Sequence, residues 1–241
     1  MKKMRCYTEL AYVLGILALA FGTALMVKAD FGVSMVVAPA YLLFLKLSQI
    51  LPFLTFGMAE YLFQAVLLCA MMLLLKRYKI WYMFSFITAV FYGICLDVFI
   101  RLVSPMTMLT FSSRLFFYVI GGSFCAMGVA FIFRTYIAPE VYELFVKEVS
   151  SRYRIDIHRF KMLYDMISCV VSIALSFVFF GWLQFEGIKW GTVILALVNG
   201  KAIGLFNHFF DRIFYYEDRL PFKRYFMGDA HDIMPERDVA S

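Results

Sequence analysis

The stretch AFGTALMVKADFGVS at residues 20–34 decides how this chain is organised. An apolar run rich in small residues ends at Lys28 and Asp30, and Gly32 and Ser34 then open a second apolar run. A degenerate copy, AMGVAFIFRTYIAPE, occupies residues 126–140, about 106 positions later. Both copies contain Ala-x-Gly-x-Ala, then a basic residue six places after the glycine, then a break in the apolar pattern. An internal repeat predicts that both copies occupy equivalent places in the fold.

The composition is that of an integral membrane protein. Of the 241 residues, 63% are hydrophobic and only 17% are charged, whereas a soluble domain has roughly 25% charged residues. The mean hydropathy is +0.80. The net charge of +6 is better explained by basic residues in cytoplasmic loops than by nucleic-acid binding. The predicted partner is therefore the lipid bilayer, and no nucleic acid is expected.

Hydropathy predicts an all-α, polytopic membrane helix bundle with six spans. Apolar runs of the length needed to cross a bilayer lie near 9–28, 57–75, 80–101, 115–133, 162–181 and 190–210. Two further apolar stretches, 33–51 and 137–149, are interrupted by proline or charged residues. They fall in the broken segments 29–51 and 135–153, and we expect each to form a re-entrant or interfacial helix.

The distribution of basic residues supports six spans with both termini on the cytoplasmic side. This arrangement places 17 of the 23 Lys and Arg residues inside and five outside, with Lys201 within a span. A seventh span at 33–51 would move the cluster from Lys76 to Lys79 to the outer side, against the positive-inside rule. The prediction is therefore a multi-pass membrane protein with its N- and C-termini on the cytoplasmic side.

The repeat predicts two membrane units, residues 1–104 and 105–211, followed by a cytoplasmic tail at 212–241. Each unit has three spans, so the second must enter the membrane in the opposite orientation. That is the 3+3 inverted repeat of many secondary transporters, whose broken helices meet near the midplane. The alternative is that two apolar bundles resemble each other by composition alone. Three pairs of positions correspond under the repeat: Gly22 with Gly128, Gln64 with Asp165, and Gly93 with Gly200.

Polar and ionisable groups within the spans and breaks are the candidate site residues, because burying them in a membrane is costly. The predicted substrate-binding or gating residues are Lys28, Asp30, Ser34, Glu60, Gln64, Arg134, Glu140, Asp165, Asn199 and Lys201. Lys201 lies near the middle of the sixth span. It either meets an anionic substrate or proton-coupled carboxylate, or forms a structural ion pair with Asp97, Glu60 or Asp165.

The two breaks also predict helix starts. Ser34 is expected to cap a helix that begins near Met35, and the free N–H groups of such a start favour an anion. A neatly capped turn at the membrane surface is the alternative. In the second copy, Pro139 is expected at the first helical position and Glu140 in the first turn.

No motif indicates an enzyme. No nucleophile–base set, Gly-rich phosphate loop or metal-ligand spacing is present in the sequence, so neither a catalytic residue, a metal nor a cofactor is predicted. The five cysteines are scattered without a CxxC spacing, which is typical of reduced thiols packed as small hydrophobic groups.

Residues 28–34, KADFGVS, after a Gly/Ala-rich helix resemble the YczE/YyaS/YitT-type bacterial integral membrane proteins. Ala138-Pro139-Glu140, Gly191-Thr192 and the stretch from Gly200 to Phe206 are similar to later landmarks of that family. Met35 stands where a proline commonly follows the motif serine, and Lys201 where a neutral residue is expected. The resemblance implies a bacterial cytoplasmic-membrane protein with a transport role and defines no substrate.

The first functional hypothesis is a small secondary transporter or permease with its pathway between the two halves. The sequence does not identify the substrate, and an anion is one candidate class. A substrate-capture subunit of a multi-component uptake system is one alternative, and a non-transporting assembly or sensing factor is another. A homodimer through the small-residue faces at Ala20/Ala24 and Gly200/Gly204 is a further expectation.

Overall fold

A computed structural model of the protein describes residues 4–107, 110–181 and 187–217. Within these residues the chain is almost entirely helical, as the sequence predicts. In chain order, the elements are β1 (Met4–Tyr7), α1 (Thr8–Ala29), α2 (Ala38–Leu47), α3 (Phe56–Leu75), α4 (Tyr82–Val103), α5 (Phe111–Ile132), α6 (Val141–Tyr153), α7 (Ile157–Phe180), α8 (Trp190–Ile213) and β2 (Phe214–Glu217).

The six predicted spans are confirmed as α1, α3, α4, α5, α7 and α8, which are long and apolar enough to cross a membrane. The other two helices, α2 with 10 residues and α6 with 13, rise only about 15–20 Å at 1.5 Å per residue. They are too short for a hydrocarbon core about 30 Å thick. The interrupted stretches therefore form short helices inside the bundle and not additional spans.

Polar caps define where several helices begin and end. The Thr55 side chain accepts a hydrogen bond from the Met58 amide at 3.2 Å and starts α3. Asp156 accepts one from the Arg159 amide at 3.0 Å and starts α7. At the other ends, Asp30 and Lys76 adopt left-handed backbone angles that terminate α1 and α3.

The predicted helix starts in the two breaks are wrong, by three residues for α2 and by two for α6, where Pro139 was expected at the first helical position. Helix α2 begins at Ala38, and the Ser34 side chain does not cap it. Instead, the Ser34 carbonyl accepts hydrogen bonds from the amides of Val37 and Ala38, so a turn precedes the helix. Helix α6 begins at Val141, which leaves Glu140 at the capping position rather than in the first turn.

Helices α1 and α5 form the centre of the bundle and run antiparallel through close glycine contacts. Gly15 lies against Gly128 and Gly22 lies against Gly121, so the contacts follow the two helices in opposite directions. A Cβ atom on Gly22 would lie 2.5 Å from the Gly121 carbonyl oxygen. Small residues permit this close approach of backbones within a membrane.

The packing of the remaining helices follows the predicted repeat, in which α1, α2, α3 and α4 correspond to α5, α6, α7 and α8. Helix α4 packs on α1 and α8 packs on α5; α3 packs on α2 and α7 packs on α6; α3 also contacts α6, as α7 contacts α2. One pair differs. Helices α3 and α4 pack tightly, with Gly57 against Gly93, whereas α7 and α8 share at most a marginal contact among the described residues.

A two-stranded parallel sheet, absent from the sequence prediction, joins the two ends of the described chain. Strand β1 pairs with β2 in the register Met4 with Phe214 through Tyr7 with Glu217. The segments before α1 and after α8 therefore lie on the same side of the six-helix bundle. Most of the predicted tail lies at 218–241, outside the described residues.

Candidate functional site

A cavity of about 510 Å³ lies between the two halves of the bundle. The first half contributes Leu19 and Thr23 of α1, Tyr92 of α4 and the turn from Ser34 to Val37. The second half contributes α5, the start of α6, and the facing sides of α7 and α8. Both broken segments therefore reach the same cavity, as the sequence pattern predicts.

Threonine side chains hold both breaks in place. The Thr88 hydroxyl on α4 donates to the Ala138 carbonyl at 3.0 Å. The Thr192 hydroxyl on α8 donates to the Val33 carbonyl at 2.8 Å. Each half thus uses a threonine of its last span to fix the break of the other half.

Three polar oxygens at this cavity lack a hydrogen-bond partner among the described residues: Oε1 of Glu140, Oδ1 of Asp165 and Oδ1 of Asn199. Glu140 is only 7% exposed. Buried polar atoms are almost always satisfied in folded proteins. Oxygens of this kind that line a cavity identify where a ligand's donors or positive charge would be stabilised.

A buried hydrogen-bond network lies behind Glu140. Glu60 and Gln64 on α3 are fully buried, and the Gln64 amide donates to Glu60 at 3.3 Å. The Tyr142 hydroxyl also donates to Glu60, at 2.8 Å, while the Gln64 side-chain oxygen accepts from the Val141 amide at 3.1 Å. This network fixes the start of α6 and so positions Glu140.

The charged groups at the cavity are mainly acidic. Glu143 forms an ion pair with Lys161 at 2.8 Å, and the Lys161 charge also acts on Asp165, whereas Glu140 has no basic partner among the described residues. Burial, together with the carboxylates of Glu60 and Glu143, raises the pKa of Glu140 well above its usual range. Burial therefore disfavours the charged form of Glu140, and a positive charge placed beside it would favour that form.

Of the residues predicted from the sequence, four line the cavity: Ser34, Glu140, Asp165 and Asn199. Glu60 and Gln64 lie directly behind it in the buried network. Asp165 lines the cavity, whereas Gln64, which corresponds to it under the predicted repeat, is fully buried against the start of α6 and does not line it.

Lys28 and Asp30 lie outside the cavity, in a cluster at the end of α1. Asp30 forms ion pairs with Arg114 at 3.0 Å and Lys189 at 2.6 Å, and Lys28 donates to the Ser104 carbonyl at 2.6 Å. The cluster ties the end of α1 to the end of α4, the first turn of α5 and the residue before α8. The structure therefore does not bring Lys28 and Asp30 together with Glu140 at this cavity, and their binding or gating role stays a prediction.

Arg134 also lies outside the cavity, and its side chain contacts another helix. It forms an ion pair with Asp211 at 2.7 Å, donates to the Asn207 side chain and backbone, and lies over the rings of Phe210 and Tyr216. These contacts fasten the end of α5 to the end of α8, away from the cavity.

Replacing Arg134 with glutamine is expected to lower the stability of the detergent-purified protein by about 1.5–3 kcal/mol, the range for hydrogen bonds to charged groups. Thermal unfolding measures the effect. Arg101→Gln is the control, because the exposed Arg101 side chain has no partner among the described residues. Equal shifts for the two variants would show that the Arg134 contacts do not stabilise the fold.

The position of Lys201 fits neither the substrate contact nor the structural ion pair predicted from the sequence. It is exposed on α8, does not line the cavity, and has no hydrogen bond or ion pair among the described residues. Adjacent helical residues are separated by about 100°, so Gly200 faces the cavity while Lys201 points elsewhere.

Lys201→Met is therefore expected to leave thermal stability unchanged or raise it, since a charge on a membrane-facing surface is unfavourable. A loss of stability as large as that of Arg134→Gln would mean that Lys201 has a partner in the folded protein.

Sequence reasoning missed Tyr142, Glu143 and Lys161, which contribute to the cavity and its network. Tyr142 and Glu143 lie close to Glu140 in the sequence, and this proximity was a usable signal. Ala20 and Ala24, expected at a dimer surface, are buried in the core of the bundle. Among the described residues, no group of three or more His, Cys, Asp or Glu side chains could hold a metal ion.

Comparison with known proteins identifies a family and no characterised relative. No curated protein and no solved structure matches the chain. Residues 6–208 match a family described as a family of unknown function, DUF6198. This match covers most of the chain, including all six spans up to the last turns of α8, and the protein therefore belongs to the DUF6198 family.

Proposed function

We propose that this protein is a small secondary transporter whose substrate pathway is the cavity between its two halves, and that it has no enzymatic activity. The observation that carries the proposal is a cavity of about 510 Å³ lined by both broken segments and by the unpartnered oxygens of Glu140, Asp165 and Asn199. Binding sites in transporters of this kind lie at the interface of two repeats, near broken helices.

We further propose that the two halves form an inverted repeat. The central contacts support it, since an offset of 106 residues exchanges the Gly15–Gly128 contact with Gly121–Gly22. The threonine contacts support it too, because Thr88 and Thr192 each fix the break of the opposite half. A composition match alone does not account for this reciprocity.

The difference between the two halves supports a moving part. Helices α3 and α4 are in close contact, but their counterparts α7 and α8 are not a packed pair. Gly93 lies against Gly57, while a Cβ atom on its counterpart Gly200 would meet nothing within 4 Å. We propose that closing and opening of the α7–α8 seam changes access to the cavity.

The proposal also includes the orientation of the protein in the membrane and its resemblance to a bacterial family. The charge distribution favours termini on the cytoplasmic side, and the β1–β2 pairing agrees with termini on one side. The resemblance to a bacterial family is the basis for proposing the bacterial cytoplasmic membrane. We retain the relation to the YczE/YyaS/YitT-type proteins as part of this proposal, carried by residues 28–34.

The experiment is to place a cysteine at Ala196, a cavity-lining position, in a variant whose native cysteines are replaced. The protein is reconstituted in liposomes and treated with a membrane-impermeant thiol reagent from each side separately. A transporter exposes the cavity to each side in turn, so labelling from both sides is expected. A cysteine at Leu205, an exposed α8 position outside the cavity, is the control and should remain unlabelled.

Labelling of Ala196→Cys from one side only would contradict transport and favour the substrate-capture subunit. No labelling from either side would contradict any pathway through the cavity and leave the assembly or sensing factor.

A further inference from the structure

The chemistry of the cavity points to a class of substrate. This inference rests on the proposed function. Its polar lining is rich in acceptors: Glu140, Asp165 and Asn199 present unpartnered oxygens. The nearest basic group, Lys161, is already paired with Glu143 at 2.8 Å. Lys201, on which the expectation of an anionic substrate was based, does not line the cavity.

The remainder of the lining is apolar. Leu19, Val129 and Ile132 contribute from α1 and α5, and Met162, Met166 and Leu195 from α7 and α8. Ligand pockets commonly combine such a wall with a few polar groups that fix orientation. A bare metal ion or a strongly hydrated polar solute does not match a wall of this composition and size.

We propose that the cavity binds a small organic cation, an ammonium group carried on an apolar body, with the positive charge at Glu140 and Asp165 and the body against the aliphatic and methionine side chains. Glu140 carries the argument furthest, because it is more than nine-tenths buried, lines the cavity and has an unpartnered oxygen. An uncompensated carboxylate in a low-dielectric site gains most from a positive ligand. A quaternary or protonated amine supplies that charge without the ordered coordination shell of a metal.

The test uses three probes of similar shape and different charge with the full-length protein in detergent. They are phenyltrimethylammonium, its neutral isostere tert-butylbenzene, and the anion benzenesulfonate. A ligand that binds the folded protein raises its apparent melting temperature with concentration. Only phenyltrimethylammonium is expected to produce a saturable rise.

Two variants assign the binding to the cavity, and one serves as a control. Glu140→Gln and Asp165→Asn keep the side-chain shape and remove the charge, so each is expected to weaken the cation's apparent affinity at least about tenfold. Glu217→Gln removes a carboxylate that is remote from the cavity, on β2, and should leave the affinity unchanged.

Each other outcome overturns the inference in a recognisable way. Equal cation affinity in the native protein and both cavity variants would remove the site from Glu140 and Asp165. A saturable effect of the anion or the neutral probe alone, lost in Asn199→Leu, would overturn the cationic class and leave the pathway proposal standing. No effect of any probe would overturn the cationic class, while the Ala196→Cys labelling, which needs no ligand, decides the pathway separately.

Discussion

Gly22→Ala is expected to cause one of the largest losses of stability in this protein. The added methyl group would lie 2.5 Å from the Gly121 carbonyl oxygen and 2.7 Å from the Cys125 backbone nitrogen. Both atoms belong to the backbone of α5 and cannot move aside as a flexible side chain can. Overpacking costs about 1–3 kcal/mol in ordinary cores, and we expect the upper end here because α1 and α5 must separate.

Two further substitutions define this prediction. Gly121→Ala should cause a comparable loss, because its added Cβ would lie 2.8 Å from the Gly22 carbonyl oxygen in the reciprocal contact. Gly204→Ala is the matched control: a Cβ there meets nothing within 4 Å, and alanine is the better helix former. Thermal unfolding of the purified proteins measures all three. Similar melting temperatures for Gly22→Ala and Gly204→Ala would contradict the central α1–α5 packing.

Gln64→Leu is the second substitution with a large expected effect. Gln64 is fully buried and uses both ends of its amide, donating to Glu60 and accepting from the Val141 amide. Leucine would leave the Val141 N–H unpaired and remove one donor from Glu60. An unsatisfied buried group costs about 1–3 kcal/mol, so we expect about 2–4 kcal/mol in total and a loosened start of α6.

The control for Gln64→Leu is Ser85→Ala. Ser85 is also fully buried on a span, but its hydroxyl has no partner among the described residues, so its removal should be close to neutral. Because Glu140 precedes α6, Gln64→Leu should also weaken any ligand binding at the cavity. Stability equal to that of Ser85→Ala, with unchanged thermal unfolding, would show that the network does not hold α6.

Much of the fold follows from the sequence because hydropathy and span length are strongly constrained in a membrane. The six spans and the two short helices at the breaks needed only the apolar runs and their interruptions by Pro39, Lys46 and Glu140. The glycines at 22 and 128 were recognised as part of the repeat, but the pattern did not predict that α1 and α5 pack on each other through them. The β1–β2 pairing left no such signal, since four residues at each end are too few to show a pattern.

The site was only partly predictable because side-chain direction depends on helix rotation. Glu140, Asp165 and Asn199 were found from their cost of burial, and the same argument wrongly selected Lys201, one residue beyond the cavity-lining Gly200. Lys28 and Asp30 were selected because they belong to the repeat motif. In the structure each has its own partners at the end of α1: Asp30 pairs with Arg114 and Lys189, and Lys28 donates to the Ser104 carbonyl. The open α7–α8 seam is a tertiary feature that local sequence does not encode.

The most direct test of the account is the distance between α7 and α8 in the protein reconstituted in liposomes. Spin labels at Leu163 on α7 and Ile194 on α8, both exposed, report the seam. Labels at Leu62 and Ile87 on α3 and α4, the corresponding exposed positions, form the reference pair across the packed Gly57–Gly93 contact. We expect two separate distances for Leu163–Ile194, whose populations change when a cation binds, and one narrow distance for the reference pair. A single, equally narrow distance for both pairs would contradict a moving seam, and with it the proposal that this cavity is a transport pathway.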